Sequence, residues 1–200
     1  PSGYLNIAVF DQEIEDFQTN TFVGTGFVLA NAGSQSADGY EFDLVISPTE
    51  NIDLAVSGLF IDPIYDSYVG AAPGDLSGTV PSNTPEDTIS STITWNYNIS
   101  GWDSFLRISH LYSSKAQLLE NPVHQALIEA QGNGYREQDT LNLTAGFEKD
   151  NLSITLWGKN INDDEFLTSA FIGVADLSET TFFGYPNSFK SYGLTLNYSF

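Results

Sequence analysis

Hydrophobic and polar residues alternate along most of this chain, and the last eleven residues do so without a break. Between Lys190 and Phe200, Tyr192, Leu194, Leu196, Tyr198 and Phe200 fall on one face, with Ser191, Gly193, Thr195, Asn197 and Ser199 on the other. A β-strand repeats every two residues, so this segment predicts a strand with one apolar and one polar wall. Aromatic residues stand at both ends of the apolar row, the belt arrangement of a strand that crosses an outer membrane. The alternation recurs upstream. Leu141, Leu143, Ala145 and Phe147 form one row, followed across the turn 149–151 by Leu152, Ile154 and Leu156. Ile89, Ile93, Trp95, Tyr97 and Ile99 form another, and Asn98 to Gly101 reverses the chain into Trp102 to Ser113, where Leu106, Ile108 and Tyr112 share a face with His110. Tyr40, Phe42, Leu44 and Ile46 precede a turn over 47–51 and the row Ile52, Leu54, Val56, Gly58 and Phe60. The first strand, Tyr4 to about Gln18, leaves two faces open, with Leu5, Ile7 and Val9 set against Ala8 and Phe10.

These segments make about eight long strands, and their connections are unequal. Turns at 47–51, 98–101 and 149–151 are tight, whereas 67–87, 114–138 and 163–189 are long, and short and long alternate along the chain. Short turns at one end and long loops at the other characterise outer-membrane barrels, with the short end periplasmic. Loops of that length count against a compact sandwich. The reading is therefore an all-β, transmembrane antiparallel β-barrel. One stretch, Pro122 to Gln131, has helical character and predicts a short helix within a loop.

Composition narrows the picture. Hydrophobic residues make up 41% of the 200 residues, yet mean hydropathy is slightly negative because Ser, Thr, Asn and Gly separate them. No run approaches the roughly 18 apolar residues of a membrane-spanning helix. The absence of cysteine excludes disulfides and thiolate metal sites. With a net charge of −20 and six Lys plus Arg, the chain has too little positive charge to neutralise phosphates, which excludes nucleic acid as a partner. The chain begins Pro1-Ser2-Gly3, with no initiator methionine or signal peptide. A secreted barrel carries a signal at some stage, so the expectation is that one has been removed or that this is the C-terminal piece of a longer protein.

Four stretches resemble a known family. Asn31-Ala32-Gly33-Ser34 with Asp38-Gly39-Tyr40-Glu41-Phe42 and Pro48, Asp75-Leu76-Ser77-Gly78 with Pro81 and Pro85, Trp157-Gly158-Lys159-Asn160-Ile161-Asn162-Asp163, and the ending from Tyr192 to Phe200 are similar, in order and spacing, to motifs of TonB-dependent outer-membrane receptors. Phe166 stands where that family more often has tyrosine, and Lys190 where an arginine nearer the proline is usual, which leaves the subfamily open. The resemblance implies a 22-stranded barrel around an N-terminal plug, of which residues 1–200 would supply about the last eight strands, without the plug or TonB box. It implies residence in the bacterial outer membrane and import of a scarce ligand, a ferric siderophore first, otherwise haem, cobalamin or a glycan, with energy from TonB. Expected partners are the ligand, the TonB complex through the absent N-terminal region, membrane lipid and lipopolysaccharide, and the barrel-assembly machinery acting on the strand Tyr192, Leu194, Leu196, Tyr198 and Phe200. No cofactor is implied.

Candidate sites follow from position. Tyr65, Tyr68, Tyr135, Phe171, Phe182, Phe183 and Tyr185 lie in or beside long loops, where aromatic rings either line a ligand vestibule or pack loop on loop. Trp95, Trp102 and Trp157 read as girdle or wall residues, and Arg107 with Asp103 as lumen-facing. Asp11, Glu13 and Glu15 share a strand face and either bind divalent cations or solvate a strand end. Asp163, Asp164 and Glu165, joined by Asp176 and Glu179, either take a metal or cationic ligand or form an acidic loop, and because their spacing fits no calcium loop the acidic loop is the favoured reading. His110 and His124, the sole histidines, have no hydrolase motif around them. Three other readings remain open: a complete eight-stranded barrel with a structural or adhesive role, an outer-membrane hydrolase, and a soluble sandwich.

Overall fold

The computed structural model describes residues 1–23, 26–71, 73–173 and 180–200. Eight strands form one antiparallel sheet in the order of the chain: β1 (Ser2–Val23), β2 (Gly26–Thr49), β3 (Ile52–Ser67), β4 (Asp87–Ile99), β5 (Trp102–Gln117), β6 (Tyr135–Lys149), β7 (Leu152–Lys159) and β10 (Ser191–Tyr198). Between β7 and β10, β8 (Leu167–Ile172) and β9 (Phe182–Pro186) pair as a separate hairpin. Strands β1 and β10 are the two edges, so the sheet is a barrel wall and not a closed eight-stranded barrel. The expected loop helix is α1 (Pro122–Ala130), started by the Asn121 side chain, which accepts from the backbone N–H groups of Val123 and His124.

Register shows why the alternation runs through every strand. Residues directly opposite each other in an antiparallel pair point to the same face. One transverse row passes Gly3, Ile46, Leu54, Ile93, Ile108, Leu143, Gly158 and Tyr192, crossing all eight strands. The other face carries Asp53, Thr94, Arg107, Thr144, Trp157 and Gly193 across six of them. The first face is the lipid side. Ile7, Val9, Leu156, Leu194 and Leu196 stay exposed there, because nothing in this chain covers them. The first strand's ambiguity resolves the same way: Leu5, Ile7 and Val9 stand opposite Leu44, Phe42 and Tyr40, and so face outward.

Short turns are built by residues suited to a left-handed backbone. Ser100 and Gly101 both have positive φ, and the Asn98 Oδ1 accepts the Gly101 N–H at 3.1 Å. At the opposite end the strands run much further than expected. The β1–β2 ladder continues to Val23 opposite Gly26, past the predicted end near Gln18. At about 3.3 Å per residue, strands of 22 and 24 residues are at least twice the ~9–11 residues that cross a bilayer. The polar segment 31–39 lacks an apolar row, and its pairing rests on backbone hydrogen bonds. Strands β5 and β6 likewise shorten the expected 114–138 loop to 118–134.

On the lumen face, glycines make room for aromatic rings. A Cβ on Gly193 would lie 2.1 Å from the Trp157 ring. The Trp157 indole N–H donates to Thr195 Oγ1 at 3.3 Å from the same face, so this tryptophan is a lumen residue and not part of the lipid girdle. Trp95 and Trp102 are on the outward face. Gly193→Val will displace the Trp157 ring, and the blue tryptophan emission of the folded barrel will shift to the red relative to a control substitution at the outward, exposed Leu194, Leu194→Ala. An unchanged spectrum would contradict the close approach.

Candidate functional site at the long-loop end

Three connections and the overextended β1–β2 hairpin gather at one end of the wall. On the lumen side of that hairpin, a bulge at Asp16 (φ 53°) changes which face the chain presents and turns Phe17 inward. Phe17 stacks on Tyr65 with ring centroids 5.5 Å apart and meets the edge of Tyr68 at 5.8 Å. Leu76 and Ala71 complete this cluster, in which both tyrosines are buried. Burial, reinforced by the Glu120 carboxylate nearby, pushes the Tyr65 phenol well above its usual range. These two rings are therefore taken up in packing the 68–86 loop against the wall.

Phe171, Phe183 and Tyr185 have a different setting. They lie on one face of the β8–β9 hairpin, with Phe171 opposite Phe183. Ring centroids are 5.6 Å apart for Phe171–Phe183 and 5.9 Å for Phe171–Tyr185, yet the three side chains are 44%, 55% and 61% exposed. Phe182 points to the other side and meets the His124 ring of α1 edge-on at 6.5 Å. Gln131 donates to the Thr180 carbonyl beside it at 3.1 Å. One face of the hairpin thus docks on the α1 loop, and the other presents three clustered aromatic rings. Tyr135 is held nearer the wall, under the Lys115 ammonium at 3.7 Å from its ring centroid. Its hydrogen bond to Glu129 raises its own pKa and lowers that of Glu129.

The hairpin is anchored by a feature that alternation does not reveal. Strand β7 pairs with β6 only as far as Gly158 opposite Leu143, so the upper part of β6 has no strand neighbour. Residues 160–164 take that place. Asp164 Oδ2 accepts the Asp139 N–H at 2.7 Å, Asn162 Oδ1 accepts the Leu141 N–H at 2.9 Å, and the Ile161 N–H donates to the Leu141 carbonyl at 2.8 Å. Asn160 is buried at 3% exposure, with φ 49°. Its amide donates to the carbonyls of Asp164 (2.8 Å) and Ser188 (3.0 Å), and its Oδ1 accepts the Asp164 N–H at 2.8 Å. Asn187 adds a bond to the same Asp164 carbonyl. The two ends of the last loop are thereby tied together beneath the hairpin. Asp163 lies 4.0 Å from Lys190, Asp164 is structural, and Asp176 and Glu179 fall outside the described residues.

The remaining candidates separate. Asp11, Glu13 and Glu15 lie exposed on the outward face, and Asp11 stands opposite Asp38, which stands opposite Asp62. Among the described residues no group of carboxylates and histidines is arranged to hold a metal ion. His110 Nε2 lies 2.5 Å from Asp139 Oδ1 on the outward side, while Ser109 sits on the lumen face with its hydroxyl on Thr92. Histidine and serine are therefore on opposite sides of the wall. Arg107 faces the lumen, donating from Nε to Thr94 Oγ1 at 3.1 Å. Asp103 shares its face but bonds to Asn98.

Similarity to known proteins agrees with this architecture. Among curated proteins, none matches the chain in sequence. Over 98% of its length it superposes on the ferric yersiniabactin uptake receptor FyuA of Yersinia pestis with a TM-score of 0.75 at 15% identity, covering 27% of that chain. The ferric-catecholate import receptor Fiu of E. coli K12 gives a TM-score of 0.65 at 16% identity, with 98% and 25% covered. BauA, the ferric preacinetobactin receptor of Acinetobacter baumannii, gives 0.65 at 13% identity, with 97% and 27% covered. The chain thus spans about a quarter of the length of these structures. These neighbours are transport receptors, not enzymes. A family model described as the TonB-dependent receptor-like β-barrel matches residues 1–161, so the chain belongs to the TonB-dependent receptor family and forms part of its β-barrel.

Proposed function

We propose that the protein is an importer of the bacterial outer membrane that captures a ferric siderophore at its long-loop end and passes it through the lumen with energy from TonB. The observation that carries this reading is the wall itself. Apolar rows face outward on all eight strands, long loops gather at one end, and the whole superposes on solved uptake receptors for ferric chelates. Short turns are then periplasmic and the long-loop end extracellular. The exposed rings of Phe171, Phe183 and Tyr185 supply ligand-contacting area, while Phe182 faces the α1 loop and Tyr135 lies nearer the wall. Tyr65 and Tyr68 stiffen the adjoining loop from within the packed cluster. TonB engages through a region outside this chain. The barrel-assembly machinery recognises the last strand, and the outward rows meet lipid and lipopolysaccharide.

Uptake of radioactive iron tests this reading. Cells that depend on the full-length protein will accumulate iron from a supplied ferric chelate, and will lose that uptake when TonB is deleted. Uptake unaffected by TonB, or a mature chain of about 200 residues by intact mass, would refute it.

A further inference from the structure

The three long connections are joined in series through the α1 loop (118–134). On one side of it lies the connection 68–86. The Asn83 N–H donates to the Gln117 carbonyl at 2.7 Å, and the Asn83 amide to the Leu118 carbonyl at 3.1 Å. The Ser82 N–H donates to Glu120 Oε2 at 3.1 Å, and Arg136, just beyond the loop, donates to the Asn83 carbonyl at 3.2 Å. Glu120 also takes the Tyr65 hydroxyl, which ties this seam to the rings of Phe17, Tyr65 and Tyr68. On the other side, Gln131 reaches the Thr180 carbonyl and His124 meets Phe182 of the β8–β9 hairpin. The α1 loop is thus flanked by both of the other long connections and bonded to each.

This middle loop is itself closed around one polar side chain. Gln125 is only 4% exposed, beside the buried Leu118 and Ile128. Its Oε1 accepts the Leu119 N–H at 3.0 Å, and its amide donates to Glu129 Oε1 at 2.9 Å and to the Gly134 carbonyl. Gly134 passes so close under α1 that a Cβ there would lie 2.1 Å from Glu129 Cγ. Gln125 therefore holds both ends of the loop, 118–119 and 134, against the helix. A buried polar network of this kind is firm while every member is satisfied, and loses most when one is removed. Proteins open locally in cooperative units whose extent follows their contacts. We infer that the α1 loop is the keystone of the extracellular rim: the mouth of the barrel opens by release of this loop, which frees the 68–86 connection and the β8–β9 hairpin together. The hairpin presents Phe171, Phe183 and Tyr185 from the face opposite its α1 contact, so the same loop sets where those rings stand.

Hydrogen exchange of the full-length receptor in detergent, followed peptide by peptide, tests this without any ligand. Gln125→Ala will raise exchange at least tenfold in 118–134, and also several-fold in 79–86 and 182–186, neither of which is hydrogen-bonded to Gln125, while the β4–β7 ladder stays as protected as before. Phe182→Ala, which cuts the seam on the hairpin side alone, will raise exchange in 182–186 and leave 79–86 unchanged. If alanine at 125 disturbs the ladder, Gln125→Glu supplies the same comparison, because it keeps the acceptor for Leu119 and loses the donors to Gly134 and Glu129. A rise confined to 118–134 would mean that the three connections open singly, and would overturn the inference. So would a rise in 79–86 from Phe182→Ala as large as that from Gln125→Ala, since the α1 loop would then hold no special place in the series.

Discussion

Leu196→Arg in the full-length receptor will reduce folding into bilayers by a factor of roughly thirty or more, while Thr195→Arg will change it by less than about threefold. The two residues are neighbours on one strand, and their environments differ only by the face they occupy. Leu196 stands opposite Ile154, flanked by Leu194 and Tyr198 on the outward side, and is 62% exposed because lipid is its partner. Thr195 stands opposite Thr155 and accepts the Trp157 N–H on the lumen side. An arginine facing lipid near the bilayer midplane costs about 2–4 kcal/mol, whereas the lumen provides water and polar groups. Heat-modifiable migration of the refolded protein in vesicles gives the folded fraction directly. Equal losses for the two variants would refute the assignment of faces. The opposite order would invert the wall.

The wall was legible in the sequence because its cause is local. A strand in lipid must put an apolar residue at every second position, so the rows around Leu54, Ile93, Leu143 and Leu194 mark their strands and faces unaided. The shared row then follows from register, since a slip of one residue would turn each apolar row into the lumen. Beyond the bilayer that constraint ends. The β1–β2 ladder above Phe10 alternates poorly, because both of its faces meet water, and its continuation to Val23 could not be read from pattern. The β8–β9 hairpin was missed for a related reason. Its six- and five-residue strands sit inside an acidic stretch, and they are held by α1 and by the Asn160 turn, partners distant in sequence. Among the site residues, alternation identified which aromatics lie near loops but not which are covered. Tyr65 is buried among Tyr68, Leu76 and Phe17, the last brought across to it by the bulge at Asp16. Trp157 was legible as a wall residue, yet its lumen position depends on Gly193, the residue opposite it on β10.

Asn160→Leu will release the last long loop without dissolving the barrel. The substitution removes three hydrogen bonds at once, leaving the Asp164 N–H and the Ser188 carbonyl without their partner. A fully buried group left unsatisfied costs about 1–3 kcal/mol, and these two, on half-buried Asp164 and exposed Ser188, cost less because water reaches them. Leucine must also hold the left-handed conformation of φ 49°, at roughly 1–2 kcal/mol. Because residues 160–164 cover the free upper edge of β6, the loss falls on this turn and the hairpin above it, while the β6–β7 ladder below Gly158 is untouched. Protease added to intact cells will therefore cleave within 160–189 at least tenfold faster, and the barrel will still migrate as a folded species. Asn160→Gly separates the two contributions, since glycine adopts the backbone freely but supplies no amide. It will open the loop less than leucine and more than Asp163→Ala, which removes only an exposed contact of 4.0 Å to Lys190, worth about 0–1 kcal/mol. If glycine restored full resistance, backbone strain and not the amide would be holding the loop. If leucine itself left the loop resistant, Asn160 would not be its anchor. If Phe171, Phe183 and Tyr185 contact the ligand as proposed, the same opening will weaken its binding, because the hairpin that Asn160 ties down presents them.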